Sequence, residues 1–302
     1  MNATFRQLKL FLALAETGSV SAAARAVHVT QPTASMRLKE LTRVVGMPLY
    51  EVISRKVFLT DVGRELATVA RSVSQTWESF EQNVDALRGL SRGTLKVAVV
   101  TTAKYFMPRL VGGFCQRYPA VDLSLQILNR DGVVQRLREN LDDIYVMSMP
   151  PDDMDLRADV FLPNPIVVIA PASDLLTKRR ALPLDELAGH RFILRERGSG
   201  TRMVGDQFFR RMKFRPDVRL ELGSNEALRE SVAGGLGVGL VSRHALHGLQ
   251  TEHGVSIVDV KGFPLASSWH VVHPASRKLS PLASAFRAHL LAEIGRYVPT
   301  GA

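Results

Sequence analysis

Residues 20–41, VSAAARAVHVTQPTASMRLKEL, constrain this chain more than any other stretch. They read as a helix, a tight turn and a second helix. Ser21 can cap the first, because a hydroxyl oxygen accepts one of the backbone N–H groups left free at a helix start. Ala22, Ala23, Ala24 and Ala26 add high helix propensity and a surface small enough for close packing. His28 falls in the turn, and His is among the residues that tolerate positive φ. Thr30 caps the second helix, with Pro32 in its first turn, where a missing N–H costs nothing. Leu38, Leu41 and Val45 recur at helical spacing and face inward. Gln31, Thr33, Ser35, Arg37 and Lys39 are left facing outward. Short polar donors followed by cations suit a helix that enters a DNA major groove. An ordinary amphipathic helix pair with a solvated face shares this pattern, so the charge distribution matters.

The chain has 302 residues, enough for two or three domains with a sizeable core. Its formal net charge is +10. Residues 1–60 hold eight Lys/Arg against three Asp/Glu, a net of +5. Half of the excess therefore sits in a fifth of the chain, as in a nucleic-acid-binding module. The one cysteine, Cys115, excludes an intramolecular disulfide and reads as a buried small hydrophobe. Arg6 and Lys9 interrupt the N-terminal apolar residues, unlike a signal peptide, and no apolar run is long enough to span a bilayer. The expectation is a soluble, cytoplasmic protein without a membrane partner.

Ahead of the helix pair, residues 4–17 read as a helix with Phe5, Leu8, Phe11, Leu12 and Ala15 as its apolar stripe. After it, Leu49 to Thr60 reads as a two-stranded wing, with Arg55 and Lys56 near the tip to hold phosphates. Residues 61–90 then read as one long helix. Its seam is Val62, Leu66, Val69, Val73, Trp77, Phe80, Val84 and Leu87, in steps of four and three with one repeated four. A helix of ~45 Å with so narrow a seam needs a partner helix or the chain's own domains to cover it. Gly89 to Gly93 follows as a hinge. From Thr94 strands alternate with helices, which argues an α/β domain. A second unit of the same kind begins near Pro163-Asn164-Pro165, and a helix at 281–297 closes the chain.

No metal or nucleophile motif of a hydrolase is present, and the glycine run 234–239 follows a helix and precedes a strand, the reverse of a dinucleotide site. An enzyme is not expected. Two junctions do look like anion sites. Thr101, Thr102 and Lys104 stand where a strand gives way to a helix, and Arg195-Glu196-Arg197-Gly198-Ser199-Gly200-Thr201-Arg202 spans a second such junction. Helix starts offer free N–H groups and partial positive charge, to which hydroxyls and cations add. The same hydroxyls also serve as caps.

Residues 1–60 resemble the DNA-binding domain of the LysR-type transcriptional regulators. The carrying residues are Phe5 to Gly18, the Ala-rich helix, Thr30-Gln31-Pro32-Thr33 with Ser35, Leu38-Lys39-Glu40-Leu41, Gly46 with Pro48-Leu49-Tyr50, and Leu59-Thr60 with Gly63. The resemblance continues through the chain. It implies a winged helix-turn-helix domain at 1–60, with Ser21, Thr30 and Pro32 joining the outward residues at the DNA. It implies a dimerising linker helix and hinge at 61–92. It further implies an effector domain at 93–302, made of two α/β subdomains (93–163 with 268–302, and 164–267) as in periplasmic binding proteins. Val52 stands in the wing where an arginine is common in the family, so Arg55 and Lys56 would carry the wing's phosphate contacts. TTAKYFMPRLVGGF, NLDDIYVMSMPP, FLPNPIVVIAP and RERGSGTR are similar to regulators of carbon-fixation operons, the CbbR type. That branch implies a phosphorylated effector or NADPH rather than a fixed cofactor. Thr101, Thr102, Lys104, Met149, Ser199, Thr201, Arg202 and Asn225 would line the cleft. Ser148-Met149 departs from the branch's Gly-containing form, and relatives that sense sulfur-assimilation metabolites share part of the pattern. The implied partners are duplex operator DNA, a small anion, further copies of the chain as dimer or tetramer, and RNA polymerase. An α/β small-molecule binding protein or enzyme with an idle basic module is the alternative from another class.

Overall fold

The structure, a computed structural model, describes residues 2–54, 56–87, 92–246 and 254–293. The chain forms two compact units, one with the N-terminal helices and wing and one with the two larger sheets.

In the first unit, α1 (Phe5–Thr17) opens on a capping box. The Thr4 hydroxyl accepts the Gln7 N–H, while the Gln7 side chain accepts the Thr4 N–H at 2.9 Å. Gly18, at φ 64°, ends it. The next helix, α2 (Val20–Ala26), starts so soon after that Ser19 is its cap. Ser21 is an exposed residue of the first turn, a correction to its expected role as the cap. His28 turns the chain at φ 55°. Thr30 caps α3 (Gln31–Val45), and Ala34, Leu38 and Leu41 are its buried face. The core they join holds Leu10, Phe11, Leu14, Ala23, Ala24 and Leu49. So the apolar stripe of α1 is centred on Leu10 and Leu14, and Phe5, Leu8, Leu12 and Ala15 only flank it.

Strands β1 (Tyr50–Ile53) and β2 (Lys56–Leu59) pair antiparallel as the wing, with Ile53 opposite Lys56. Arg55 lies outside the described residues. The helix α4 (Asp61–Leu87) follows. A Cβ on Gly63 would sit 1.9 Å from the Leu49 carbonyl oxygen, so only glycine lets α4 start this close to the wing. The seam expected along α4 divides. Val62 and Leu66 pack on the helix-turn-helix core, whereas Val69, Val73, Trp77 and Phe80 are exposed. Most of the expected hinge, residues 89–91, lies outside the described residues.

The second unit runs β3 (Gly93–Val100), a 3-10 turn (Thr101–Tyr105), α5 (Met107–Arg117), β4 (Val121–Leu128), α6 (Arg130–Arg138), β5 (Ile144–Met147) and β6 (Leu156–Pro163). It continues with β7 (Ile166–Pro171), β8 (Arg191–Arg195), α7 (Gly200–Arg211), β9 (Asp217–Leu222), α8 (Asn225–Ala233), β10 (Val238–Ser242) and β11 (Val255–Val258). Last come β12 (Ser268–Pro274) and α9 (Pro281–Ala292). One five-stranded sheet has the order β4-β3-β5-β12-β6 and the other β11-β7-β10-β8-β9. The chain leaves the first sheet after Pro163 and returns to it at Ser268. Strands β6 and β11 escaped the sequence reading because both are sheet edges with a broken apolar pattern. Phe114, Tyr145, Phe161, Trp269 and Phe286 fill the first sheet's core, while Phe192, Phe208 and Phe209 pack the second. Cys115 is half-buried rather than buried.

Candidate functional site

The exposed surface of α3 carries the DNA-facing candidates. Gln31, Pro32 and Lys39 are exposed, and Thr33, Ser35 and Arg37 are half-buried. Thr30 is committed to capping: its hydroxyl accepts the Thr33 N–H at 3.4 Å and also lies 2.8 Å from the Thr33 hydroxyl. Lys56 is exposed at the start of β2. Sequence reasoning passed over Met36, which is exposed on the same side of α3 and suits a thymine methyl group. It also passed over Gln7, whose amide donates to Glu40 at 3.0 Å and so ties up the one acid on α3.

The second candidate site lies at strand ends. In open α/β sheets, ligands bind in the crevice beyond the carboxyl ends of the parallel strands. Here β3 and β5 run parallel in one sheet, and β8 and β9 run parallel in the other. Their ends deliver Thr101 to Lys104, Ser148 and Met149, Arg195 to Arg202, and Ser224 to Glu226. Thr102, Ser148, Arg195, Ser199, Thr201 and Asn225 are all buried. So many buried polar groups at the ends of apolar strands demand partners.

The partners join the two sheets. The Asn225 amide donates to the Thr102 hydroxyl at 3.0 Å. The Arg195 guanidinium donates to the Asn225 carbonyl, to Gly223 O at 3.3 Å and to both Glu196 oxygens, and its contact with Thr102 is long, 3.5 Å. A Cβ on Gly200 would meet the Ser148 hydroxyl at 2.2 Å, so the second sheet's helix start approaches the first sheet's strand end with no side chain between. Ser199 caps α7 by accepting the Arg202 N–H at 3.2 Å. Met149 packs on the second sheet's core and turns at φ 54°, its carbonyl accepting from Arg130 at 3.0 Å.

Two expected members behave differently. Thr101 donates to Leu128 O at 3.0 Å and so braces β4. Arg202 reaches Asp206, Glu221 and the Arg195 carbonyl, each at 2.9 Å, along the flank of α7. The structure does not bring its guanidinium to the group around Thr102, because two nearby carboxylates hold it. Lys104 does cross between the sheets, to Glu226 at 2.8 Å. The Tyr105 hydroxyl donates to the same carboxylate at 2.7 Å, and Ser224 at 2.9 Å. Burial opposes ionisation of Glu226, but these donors outweigh it and hold its pKa at about 2. Burial, reinforced by that carboxylate, pushes the Tyr105 hydroxyl well above its ordinary value. Ser148, Tyr105, Glu226 and the role of Arg195 were missed in the sequence. A charged residue ending the apolar strand Phe192–Leu194 was the available signal for Arg195. Among the described residues there is no cluster of acids, His and Cys fit for a metal, and no helix long and apolar enough to cross a membrane.

Comparison with known proteins gives this geometry a lineage. The family model of the LysR substrate binding domain matches residues 88–295, and that of the bacterial regulatory helix-turn-helix proteins of the lysR family matches residues 5–64. The chain is 40% identical over 292 residues to the HTH-type transcriptional activator CmpR of Synechocystis sp., covering 96% of each. It is 40% identical over 291 residues to the RuBisCO operon transcriptional regulator of Acidithiobacillus ferrooxidans, covering 96% of this chain and 94% of that one. A solved Synechocystis CcmR regulatory domain in complex with 2-PG matches at 40% identity and a TM-score of 0.66, over 68% of this chain and 99% of that one. Full-length CbnR complexed with target DNA, at 21% identity and a TM-score of 0.65, shares the fold over 95% of this chain and 98% of its own. With a helix-turn-helix in its first 60 residues, two five-stranded sheets in the rest of the sequence and relatives aligned along nearly the whole length, the chain belongs to the LysR family of ligand-responsive, DNA-binding transcription regulators.

Proposed function

We propose that this regulator senses a small phosphorylated acid of the 2-phosphoglycolate kind between its two sheets and thereby controls a carbon-fixation operon. The observation that carries the reading is that four strand ends bear the buried polar residues Thr102, Ser148, Arg195, Ser199, Thr201 and Asn225, and that two of the approaches between the sheets, Asn225 to Thr102 and Gly200 to Ser148, fall among them. Hydroxyls and the start of α7 supply the hydrogen bonds a phosphate needs, and Arg195 holds the Asn225 side chain in place among them. Relatives named for carbon-fixation operons and a similar regulatory domain solved with 2-PG support the same class. A ligand of few atoms also suits walls as close as Ser148 and Gly200 better than NADPH does. Calorimetry with 2-phosphoglycolate tests this. Thr102→Val keeps the shape but removes the hydroxyl, and is expected to weaken binding more than tenfold, about 1.4 kcal/mol. The DNA affinity of the effector-free variant should stay near wild type. Equal effector affinities in the two proteins would move the site elsewhere.

On the DNA side, Gln31, Thr33 and Ser35 read base edges, while Arg37, Lys39, Arg55 and Lys56 hold phosphates. Gln31→Ala is expected to erode discrimination at one or two base pairs by about 1–3 kcal/mol. Lys56→Ala should weaken all sequences alike and flatten the salt dependence by about one unit of slope. A binding-site selection in which Gln31→Ala recovers the wild-type preference would put the reading face of α3 elsewhere. The exposed seam of α4 is the dimer contact in this reading, so that two copies of α3 address two half-sites.

A further inference from the structure

The contact between Lys104 and Glu226 lies beside the polar group assigned to the effector. Thr102 and Lys104 share one 3-10 turn, and Asn225 and Glu226 open α8. The two crossings between the sheets, Thr102 with Asn225 and Lys104 with Glu226, are therefore neighbours. At the second crossing, an acid of the protein itself sits among three donors: the Lys104 ammonium, the Tyr105 hydroxyl and the Ser224 hydroxyl. That is the donor set a ligand's own carboxylate would seek. Arg195 does not offer a substitute, since Glu196 already pairs with it through both oxygens.

We propose that Glu226 is a built-in competitor that sets which effectors are accepted: it holds Lys104 and Tyr105 across the cleft until the second acid group of a two-acid ligand displaces it. The phosphate end takes the Thr102 group, and the carboxylate end takes Lys104. A ligand with a single acid group fills the first place and leaves Glu226 where it is. Glu226 remains ionised through the neutral range, so this contact is made at full charge in the effector-free protein. A ligand acts on such an equilibrium only through its differential affinity for the two arrangements, and exchanging one carboxylate for another supplies that difference. The ligand part of this inference rests on the effector reading above, whereas the contact itself does not.

The test uses the full chain and Glu226→Gln, which keeps the size and removes the charge. Without ligand, hydrogen exchange at the amides of Thr101 to Tyr105 is expected to quicken at least threefold, and Lys104→Met should do the same. With ligand, Glu226→Gln is expected to bind 2-phosphoglycolate at least tenfold tighter than wild type. Its affinity for inorganic phosphate should change less than threefold. The gain should vanish in the double variant with Lys104→Met. Unchanged exchange in the effector-free variant overturns the proposal, because the contact then holds nothing. Quickened exchange with no gain for 2-phosphoglycolate also overturns it, since Glu226 would be a brace and not a competitor. If neither wild type nor variant binds 2-phosphoglycolate, it is the effector reading that fails, and the exchange rates alone decide whether Glu226 bridges the sheets.

Discussion

A chain carrying Val73→Asp is expected to run as a monomer where the wild type runs as an oligomer, and to lose most of its operator affinity with it. Val69, Val73, Trp77 and Phe80 follow one another along α4 in steps of four and three, and they are 54%, 41%, 47% and 54% exposed. The Trp77 and Phe80 rings touch at 5.6 Å between centroids, and the two valines continue the same helical spacing toward the start of α4. Covering such side chains against a second copy contributes about 1.5–3 kcal/mol each when burial is complete. A carboxylate placed among those side chains would have to be desolvated without a partner, which costs several kcal/mol. Val73→Ala removes only methyl groups and should loosen the assembly far less. Sedimentation of the two variants separates these cases. An intact oligomer in Val73→Asp would exclude this face as the contact.

Arg195→Met is expected to abolish measurable effector binding and to lower the stability of the effector-free protein by about 3 kcal/mol. Only 3% of the Arg195 surface reaches solvent. Its guanidinium satisfies the Glu196 carboxylate, the Asn225 carbonyl and the Gly223 carbonyl at once. Methionine fills the space of the stem but leaves these acceptors without donors. The Asn225 carbonyl is the buried one, and leaving a buried acceptor unpaired costs more than its bond contributed. Asn225 would then no longer be held for its bond to Thr102, so the loss spreads to the other sheet. Arg195→Lys keeps the charge without the fork and should fall between. Urea unfolding without ligand reads the first effect, and calorimetry with 2-phosphoglycolate reads the second. Wild-type stability in Arg195→Met would mean that this network does not brace the cleft.

Several features of the chain were legible from residues alone, because their causes are local. Thr30, Pro32 and the alanines before them place the helix pair through capping and propensity, and the structure has α3 begin at Gln31. His28 marks the turn because few side chains tolerate its φ of 55°. Apolar runs such as Ile166–Pro171 and Ile144–Met147 announce central strands, since such strands are covered on both faces. Ser199 is legible as a cap because a hydroxyl at a helix start accepts a backbone N–H whatever surrounds it.

What remained was decided by tertiary structure, because it depends on neighbours remote in sequence. Two apolar stripes lie side by side on α1, and only packing against Ala24, Leu38 and Leu41 selects Leu10 and Leu14 over Leu8 and Leu12. The sequence shows Arg195 and Arg202 as equivalent cations beside a Gly-Ser-Gly turn. The fold sets Arg195 at a strand end facing Asn225 and turns Arg202 back along α7 to Asp206 and Glu221. Glu226 reads as an ordinary acid in a first helical turn until the crossings between the sheets bring Lys104, 122 positions earlier, within a salt bridge of it. Local physics thus placed the helix pair and the central strands. Which charges meet was settled only when two sheets, the first of them closed by a strand that returns after the whole of the second, placed their strand ends face to face.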